Sequence, residues 1–343
     1  MDSATAQALF DAYRAGLLNR EAADPRDYHP RYQVLLRHLV TNQLPLPERL
    51  LIRKVRQASS QGLRLAREGR LGEATECLAA GRRELGREKA STRGWLMAKA
   101  VLESALAYLD FREARFDQAR ERLQAAMEAD ALLEQDTAFG LLEVHRIQSV
   151  LNLLRLELRV GRLEVAGSLG GHILAYLEGL TNGGLPVHHS WHRETFQRHP
   201  RAVRLAMVTQ VANEMALALS RTSSPLAWEA FREVLERGSD YFERDRLLHP
   251  RVQRWLHLKR SFERQDWELY LVLVKDFLRM GRRDVTPLWY SSVIDLLHFC
   301  RTADSGPSLQ IRAGILRDSS KWRALPPSLR TCLDRDRDLP SAD

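Results

Sequence analysis

The sequence predicts an all-α protein, and three observations carry that reading. Leu, Ala, Arg and Glu, all strong helix formers, dominate the 343 residues. Apolar or small residues recur every three or four positions, as at Leu51, Val55, Ala58, Gly62 and Leu65, which marks one face of a helix. No alternating strand pattern is found, and Asn182-Gly183-Gly184 stands between helical stretches rather than between strands. A chain of this length buries one or two cores without a disulfide or metal staple.

Taken in order, residues 1–45 are expected to form an N-terminal helical cap, closed by the turn signals from Asn42 to Pro47. The stretch from Pro47 to Arg70 reads as one amphipathic helix. Its Arg49, Arg53, Arg56, Arg64 and Arg67 repeat on the spacing of the apolar residues but offset by two, so they lie roughly opposite. Further breaks fall at Asp24-Pro25, Gly86 to Gly94, Thr181 to Pro200, Ser223 to Pro225, His249-Pro250, Thr286-Pro287 and Asp304 to Pro307. They delimit a repeat-bearing region at 46–180, a His-rich loop or linker at 181–204 and a C-terminal helical region at 205–325. A tail follows at 326–343, where Pro326-Pro327 and the alternating charges from Asp334 to Asp338 predict poor packing.

Internal similarity is the strongest signal. Residues Gln61 to Ala74 (QGLRLAREGRLGEA) align without gaps on Leu106 to Ala119 (LAYLDFREARFDQA). Each segment has a small residue where two helices approach (Gly62, Ala107) and a small turn residue (Gly69, Ala114). An apolar residue follows two later (Leu71, Phe116), then a small one (Ala74, Ala119). The continuations match as well, with Leu78 and Gly81 in one and Leu123 and Ala126 in the other. The pattern resembles the tetratricopeptide repeat (TPR), an antiparallel helix pair, over residues 55–180. A third copy spans Asn152 to Ile173, with Gly161-Arg162-Leu163-Glu164-Val165-Ala166 at its turn and departures at Leu154 and Gly170. A fainter fourth is expected from Lys275 to Val285, around Met280-Gly281-Arg282. The copies lie about 45 residues apart, against about 34 in the standard repeat. The expected fold is therefore an α-solenoid of TPR-like hairpins, irregular in the C-terminal half.

The resemblance implies a concave groove lined by the first helix of each pair and used to hold peptides or proteins. Carried over residue by residue, its groove positions are Arg56, Ser59 and Leu63 in the first copy and Ser104, Tyr108, Phe111 and Arg112 in the second. The third copy supplies Gln148, Leu151, Arg155 and Arg159. Arginine pairs bidentately with carboxylates and stacks on rings, so an acidic or mixed partner segment is expected there. The competing reading is that these arginines meet only solvent. The Lys/Asn clamp with which some family members grip a chaperone's terminal carboxylate is not matched.

Charge opens a second reading. Basic residues outnumber acidic ones by 52 to 44, and 46 of the 52 are Arg. The surplus sits at the ends, +5 over residues 1–70 and +6 over 198–343, around a middle of −3. A helical nucleic-acid-associated subunit would use such ends, above all Arg244, Arg246, Arg251, Arg254, Lys259, Arg260 and Arg264. Against it, Glu243, Asp245, Glu263 and Asp266 are interspersed and no helix-turn-helix or RRM signature occurs. A third reading is a metal-binding helical enzyme at His188, His189 and His192, the only metal candidates. His188 and His192 could share a helix face, yet HExxH is absent and Glu194 is the only acid nearby. P-loop, GxGxxG and GxSxG motifs are also absent. No enzyme and no cofactor are expected. The tryptophans Trp228, Trp255, Trp267 and Trp289 read as core. Cys77, Cys300 and Cys332 form no CxxC, no apolar run reaches membrane length, and the N-terminus lacks a secretory pattern. The expected location is the cytoplasm.

Overall fold

The structure is a computed structural model. It describes residues 1–18, 28–88, 92–177, 184–187, 191, 198–221, 249–282, 285–322 and 325–338. Every regular element among these residues is helical, so the expected all-α class holds. The chain divides into two compact units: residues 28–207 form one, and residues 1–27 together with 208–343 form the other.

In the unit of residues 28–207, α2 (Tyr28–Gln43) is followed by three antiparallel pairs. These are α3 (Leu46–Arg67) with α4 (Leu71–Gly86), α5 (Arg93–Arg112) with α6 (Phe116–Glu134), and α7 (Glu143–Val160) with α8 (Leu163–Leu177). A 3-10 segment, Thr137–Leu142, joins the second pair to the third. The next helix, α9 (Arg201–Arg221), begins in this unit and ends in the other. The second unit holds α1 (Ser3–Leu18), α10 (Pro250–Glu263), α11 (Trp267–Arg279), α12 (Thr286–Ala303), α13 (Gly306–Asp318) and α14 (Pro327–Asp338).

One turn recurs. The amide of Arg70 donates to the carbonyl of Leu65 at 2.9 Å, Arg115 to Asp110 at 2.8 Å, Arg162 to Glu157 at 2.9 Å and Asp266 to Ser261 at 3.0 Å. In each case the residue before the donor has positive φ: Gly69 at 83°, Ala114 at 59°, Gly161 at 84° and Gln265 at 57°. This is the six-to-one closure that satisfies the last carbonyls of a helix and turns the chain back on itself. The second helix then opens on an apolar residue (Leu71, Phe116, Leu163, Trp267). Three positions later Ala74, Ala119, Ala166 and Tyr270 are each 0% exposed. The fourth hairpin of this type is therefore α10–α11, turning at Gln265, and not the segment around Gly281 that the sequence pattern favours. Gln265 supplies the left-handed position without a glycine, so the residue types there conceal the turn.

Between pairs, α3 lies directly beside α5 as well as on α4, α5 packs on α6, α6 on α7 and α7 on α8. The α3–α4 crossing is close, since a Cβ at Gly62 would lie 2.7 Å from Leu78 Cγ. Glu48, in the first turn of α3, accepts the Gly94 amide at the start of α5 and holds the two N-termini together. The third pair is carried by α6, across the extra 3-10 segment; the long spacing between copies is taken up mainly by helices of 16 to 22 residues.

The expected N-terminal cap is not one body. Helix α1 packs on α11 and α13, whereas α2 packs on the 3-10 segment of the other unit. Ala6, Leu9, Ala12 and Tyr13 of α1 are buried, and Gly16 lets the backbones meet: a Cβ there would lie 2.0 Å from the Leu278 carbonyl oxygen. The expected tail is helical from Pro327 to Asp338, with Leu329 and Leu333 buried, so its apolar face is packed.

Candidate partner-binding face and a buried charge network

Helix α3 sinks Leu51, Ile52, Val55, Ser59, Gly62, Leu65 and Ala66. At 100° per residue, Arg49, Arg53, Arg56, Arg64 and Arg67 fall within an arc of about 80° on the other side. Among the described residues, Arg49, Arg53, Arg56 and Arg67 meet no carboxylate; Arg64 alone pairs, with Glu68 at 3.1 Å. Arg56 donates to Gln33 Oε1, and the Arg67 guanidinium lies 5.8 Å from the Tyr108 ring of α5. The Tyr108 ring stacks on Phe111 at 6.4 Å, and Phe111 meets Phe116 edge-on at 6.1 Å. Arg112 donates to Tyr108 Oη at 3.4 Å and meets no carboxylate among the described residues. The result is a row of cations ending in an aromatic group across α3 and α5.

Charge separates by helix. The first helices α3 and α5 together carry nine basic and three acidic residues; the second helices α4 and α6 carry four and eight. The basic side is consequently under-compensated where α3 and α5 lie side by side. On α6, by contrast, Arg120 and Arg122 are consumed by Asp117, Glu157, Glu103 and Asp110 at 2.5 to 2.9 Å.

The expected groove positions do not all reach this face. Arg56, Leu63, Tyr108, Phe111 and Arg112 lie on or beside it, with Leu63 and Tyr108 also packed on the core. Ser59 is 2% exposed and Leu151 is 0% exposed, so both belong to the interior. Ser59 shares the phase of Val55 and Gly62, and Leu151 that of Val144, so helix rotation takes them inward. Ser104 buries its Oγ without a hydrogen-bond partner. On α7, Gln148 is half-buried, Arg155 donates to Asn152 Oδ1 at 2.8 Å, and Arg159 is exposed. Because α7 is carried by α6, these three are not brought beside Arg67 and Arg112.

A second constellation escaped sequence reasoning. Arg146 is fully buried and donates through Nε and Nη2 to the two carboxylate oxygens of Glu134, at 2.7 and 2.6 Å. Its guanidinium lies 3.9 Å from the centre of the Trp191 ring. One turn back on α7, Glu143 accepts the Tyr176 hydroxyl from α8, and His199 Nε2 stands 3.3 Å from its other oxygen. His145 Nδ1 bonds Asp130 Oδ2 at 2.6 Å. Three buried carboxylates thus surround one guanidinium and two imidazoles. Burial pushes the Glu134 carboxyl up to about 9, against the pull of Arg146. Burial also raises the Tyr176 hydroxyl, and Glu143 adds to it. Burial disfavours the His145 cation, but Asp130 outweighs it and the net shift is upward. The readable signal was phase: Glu143 and Arg146 fall in the apolar stripe of Ile147, Val150 and Leu154. A charge in such a stripe has to find a partner inside the fold. The network joins α6, α7 and α8 to His199, two residues before α9, and it presents no nucleophile.

Of the other candidates, His188, His189 and His192 lie outside the described residues, as do Trp228, Arg244 and Arg246. Among the described residues no group of His, Cys, Asp and Glu could hold a metal, and no helix is long and apolar enough to cross a membrane. Trp255 and Trp289 are fully buried, as expected of core residues. Lys259, one of the basic residues expected to meet nucleic acid, is 1% exposed and pairs with Asp295. Arg251 is turned onto the Gly281 carbonyl. Comparison with protein families, with curated proteins and with solved structures finds no match to this chain.

Proposed function

We propose that the chain is a non-catalytic adaptor of TPR type that holds an acidic segment of a partner protein against α3 and α5. The observation that carries this reading is the row of arginines on α3, of which Arg49, Arg53, Arg56 and Arg67 meet no carboxylate among the described residues. Exposed guanidinium groups held on a rigid helix are costly to leave uncompensated only through their mutual repulsion, and an acidic ligand relieves it. Arginine also matches a carboxylate with two parallel hydrogen bonds. Tyr108 and Phe111 at the end of the row supply an apolar anchor, the usual centre of a protein-binding surface. The recurrent turn at Gly69, Ala114 and Gly161 supports the repeat assignment.

The test is a titration of a short fluorescein-labelled peptide of Asp and Glu around one Phe, followed by anisotropy. Arg67→Glu combined with Arg112→Glu is expected to weaken binding on the order of tenfold or more, because each reversal turns attraction into repulsion. The thermal midpoint should stay unchanged, since neither arginine holds a buried partner. Equal affinity for both proteins would move the site elsewhere. Tighter binding of duplex DNA than of the peptide, falling steeply with salt, would favour the nucleic-acid reading instead.

A further inference from the structure

Helix α6 carries a stripe that answers the arginine row of α3. At 100° per residue, Asp117, Glu121, Glu128 and Leu132 fall within an arc of about 60°. This arc faces away from Ala119, Leu123, Ala126 and Met127, which α6 buries. Asp117 is paired with Arg120 at 2.6 Å. Glu121 and Glu128 are exposed and meet no cation among the described residues; Glu128 accepts the Gln124 side-chain amide at 3.2 Å. Leu132 closes the stripe at its C-terminal end and is 53% exposed. On α3 the exposed leucines stand at the other end: Leu46 and Leu50, 58% and 37% exposed, precede most of the arginines. Arg53 and Arg67 are exposed and meet no carboxylate among the described residues, and Arg64 pairs with Glu68 where both are exposed.

Laid antiparallel, the two stripes match in register. At about 1.5 Å per residue, Glu128 lies about 6 Å along the axis from Leu132, Glu121 about 16 Å and Asp117 about 22 Å. From the midpoint of Leu46 and Leu50, Arg53 lies about 7 Å away, Arg56 about 12 Å and Arg64 about 24 Å. With Leu132 of one copy against Leu46 and Leu50 of another, Glu128 comes opposite Arg53. Glu121 then falls between Arg56 and Arg64, and Asp117 comes beside Arg64. Laid parallel, the leucines would part to opposite ends. Arg56 is engaged by Gln33, so the register rests chiefly on Arg53 and Arg64. Building on the adaptor reading above, we infer that the arginine face of α3 docks α6 of a second copy of this chain, and that an acidic partner competes with this self-association. A site that is occupied part of the time binds with an apparent affinity reduced by the fraction free.

Sedimentation equilibrium on the full chain tests the docking. The average mass should rise with concentration above that of one chain. Raising salt from about 0.05 M to about 0.5 M should weaken association on the order of tenfold, because the pairs stay near solvent. Glu121→Lys with Glu128→Lys, or Arg53→Glu with Arg67→Glu, should each weaken it about tenfold or more. Mixed together, the two variants should associate again, since the first keeps the arginine face and the second keeps the acidic stripe. Association that survives both reversals, or folded variants that do not recover on mixing, would overturn the docking. The unaltered chain gives a reading that does not depend on how the variants fold. The labelled acidic peptide should lower its average mass, and a mass unchanged at saturating peptide contradicts the competition. A chain that stays single at every concentration yet binds the peptide overturns the self-docking and leaves the acidic-partner face standing. One that neither associates nor binds the peptide overturns both.

Discussion

Arg146 shows what one buried side chain commits a helix to. Its fork on Glu134 and its stacking on Trp191 leave the guanidinium without water, so either partner alone would be stranded. Arg146→Met should therefore cost about 1–3 kcal/mol at neutral pH, where Glu134 holds its proton and is left as an unsatisfied buried polar group. Arg146→Met with Glu134→Met, which removes both polar groups, should cost clearly less, as chemical denaturation of the two variants would measure; equal losses would deny the coupling. The same residues set a pH dependence. Glu134 is raised from 4.5 to about 9, and His145 is raised from 6.5. Both bind a proton more tightly folded than unfolded. Their stabilisation is complete below the unfolded values and is lost as pH rises through the folded ones. The thermal midpoint should fall between about pH 5 and pH 9, and Glu134→Gln should flatten the alkaline part of that fall. A midpoint that rises over this range would contradict the assignment.

At the scale of elements, the shared turn is the unit of construction. Gly69 and Gly161 occupy the left-handed region freely, while Ala114 and Gln265 hold it with a Cβ in the way. Ala114→Gly should stabilise the protein by about 0.5–1 kcal/mol and Gly161→Ala should destabilise it by a similar amount. Calorimetry on the pair checks both signs at once. This turn also marks how far the sequence could be read. Glycine or alanine at the left-handed position made three hairpins legible through Gly69, Ala114 and Gly161. Gln265 broke the pattern, and Gly281, whose φ is also positive, drew the fourth copy one helix too far along the chain. On the face itself, the opposition of the α3 arginines to Leu51, Val55 and Gly62 followed from spacing alone. Ser59 and Leu151 did not, because family position says which helix faces a groove but not how each helix is rotated. The Glu134, Glu143 and Arg146 network depends on contacts between α6, α7 and α8, which local patterns do not encode.

The whole molecule has a topology that composition conceals. The unit of residues 28–207 is inserted between α1 and the helices that α1 packs against, so the first residues of the chain complete a core built from the last. Tyr13 accepts the Trp322 indole N–H at 2.9 Å and stacks with Trp289 at 5.8 Å. Tyr13→Ala should cost about 3–5 kcal/mol by cavity formation. Hydrogen exchange should quicken in α11, α12 and α13 more than in α3 to α6. Faster exchange confined to α1 would contradict its place in that core. The net charge of +8 also takes on a different meaning at this scale. Part of it is buried in pairs, as at Lys259 and Arg146, and part is matched on α6. On the adaptor reading, the part that would meet a partner lies on α3 and the end of α5.

That part can be read one arginine at a time. Phenylglyoxal modification followed by mass spectrometry, with and without the acidic Phe-containing peptide, reports the accessibility of each guanidinium. The adaptor account predicts that the peptide protects Arg64, Arg67 and Arg112 and leaves Arg82 and Arg83 of α4 as reactive as before. Protection spread evenly over both sets, or confined to Arg82 and Arg83, would contradict it.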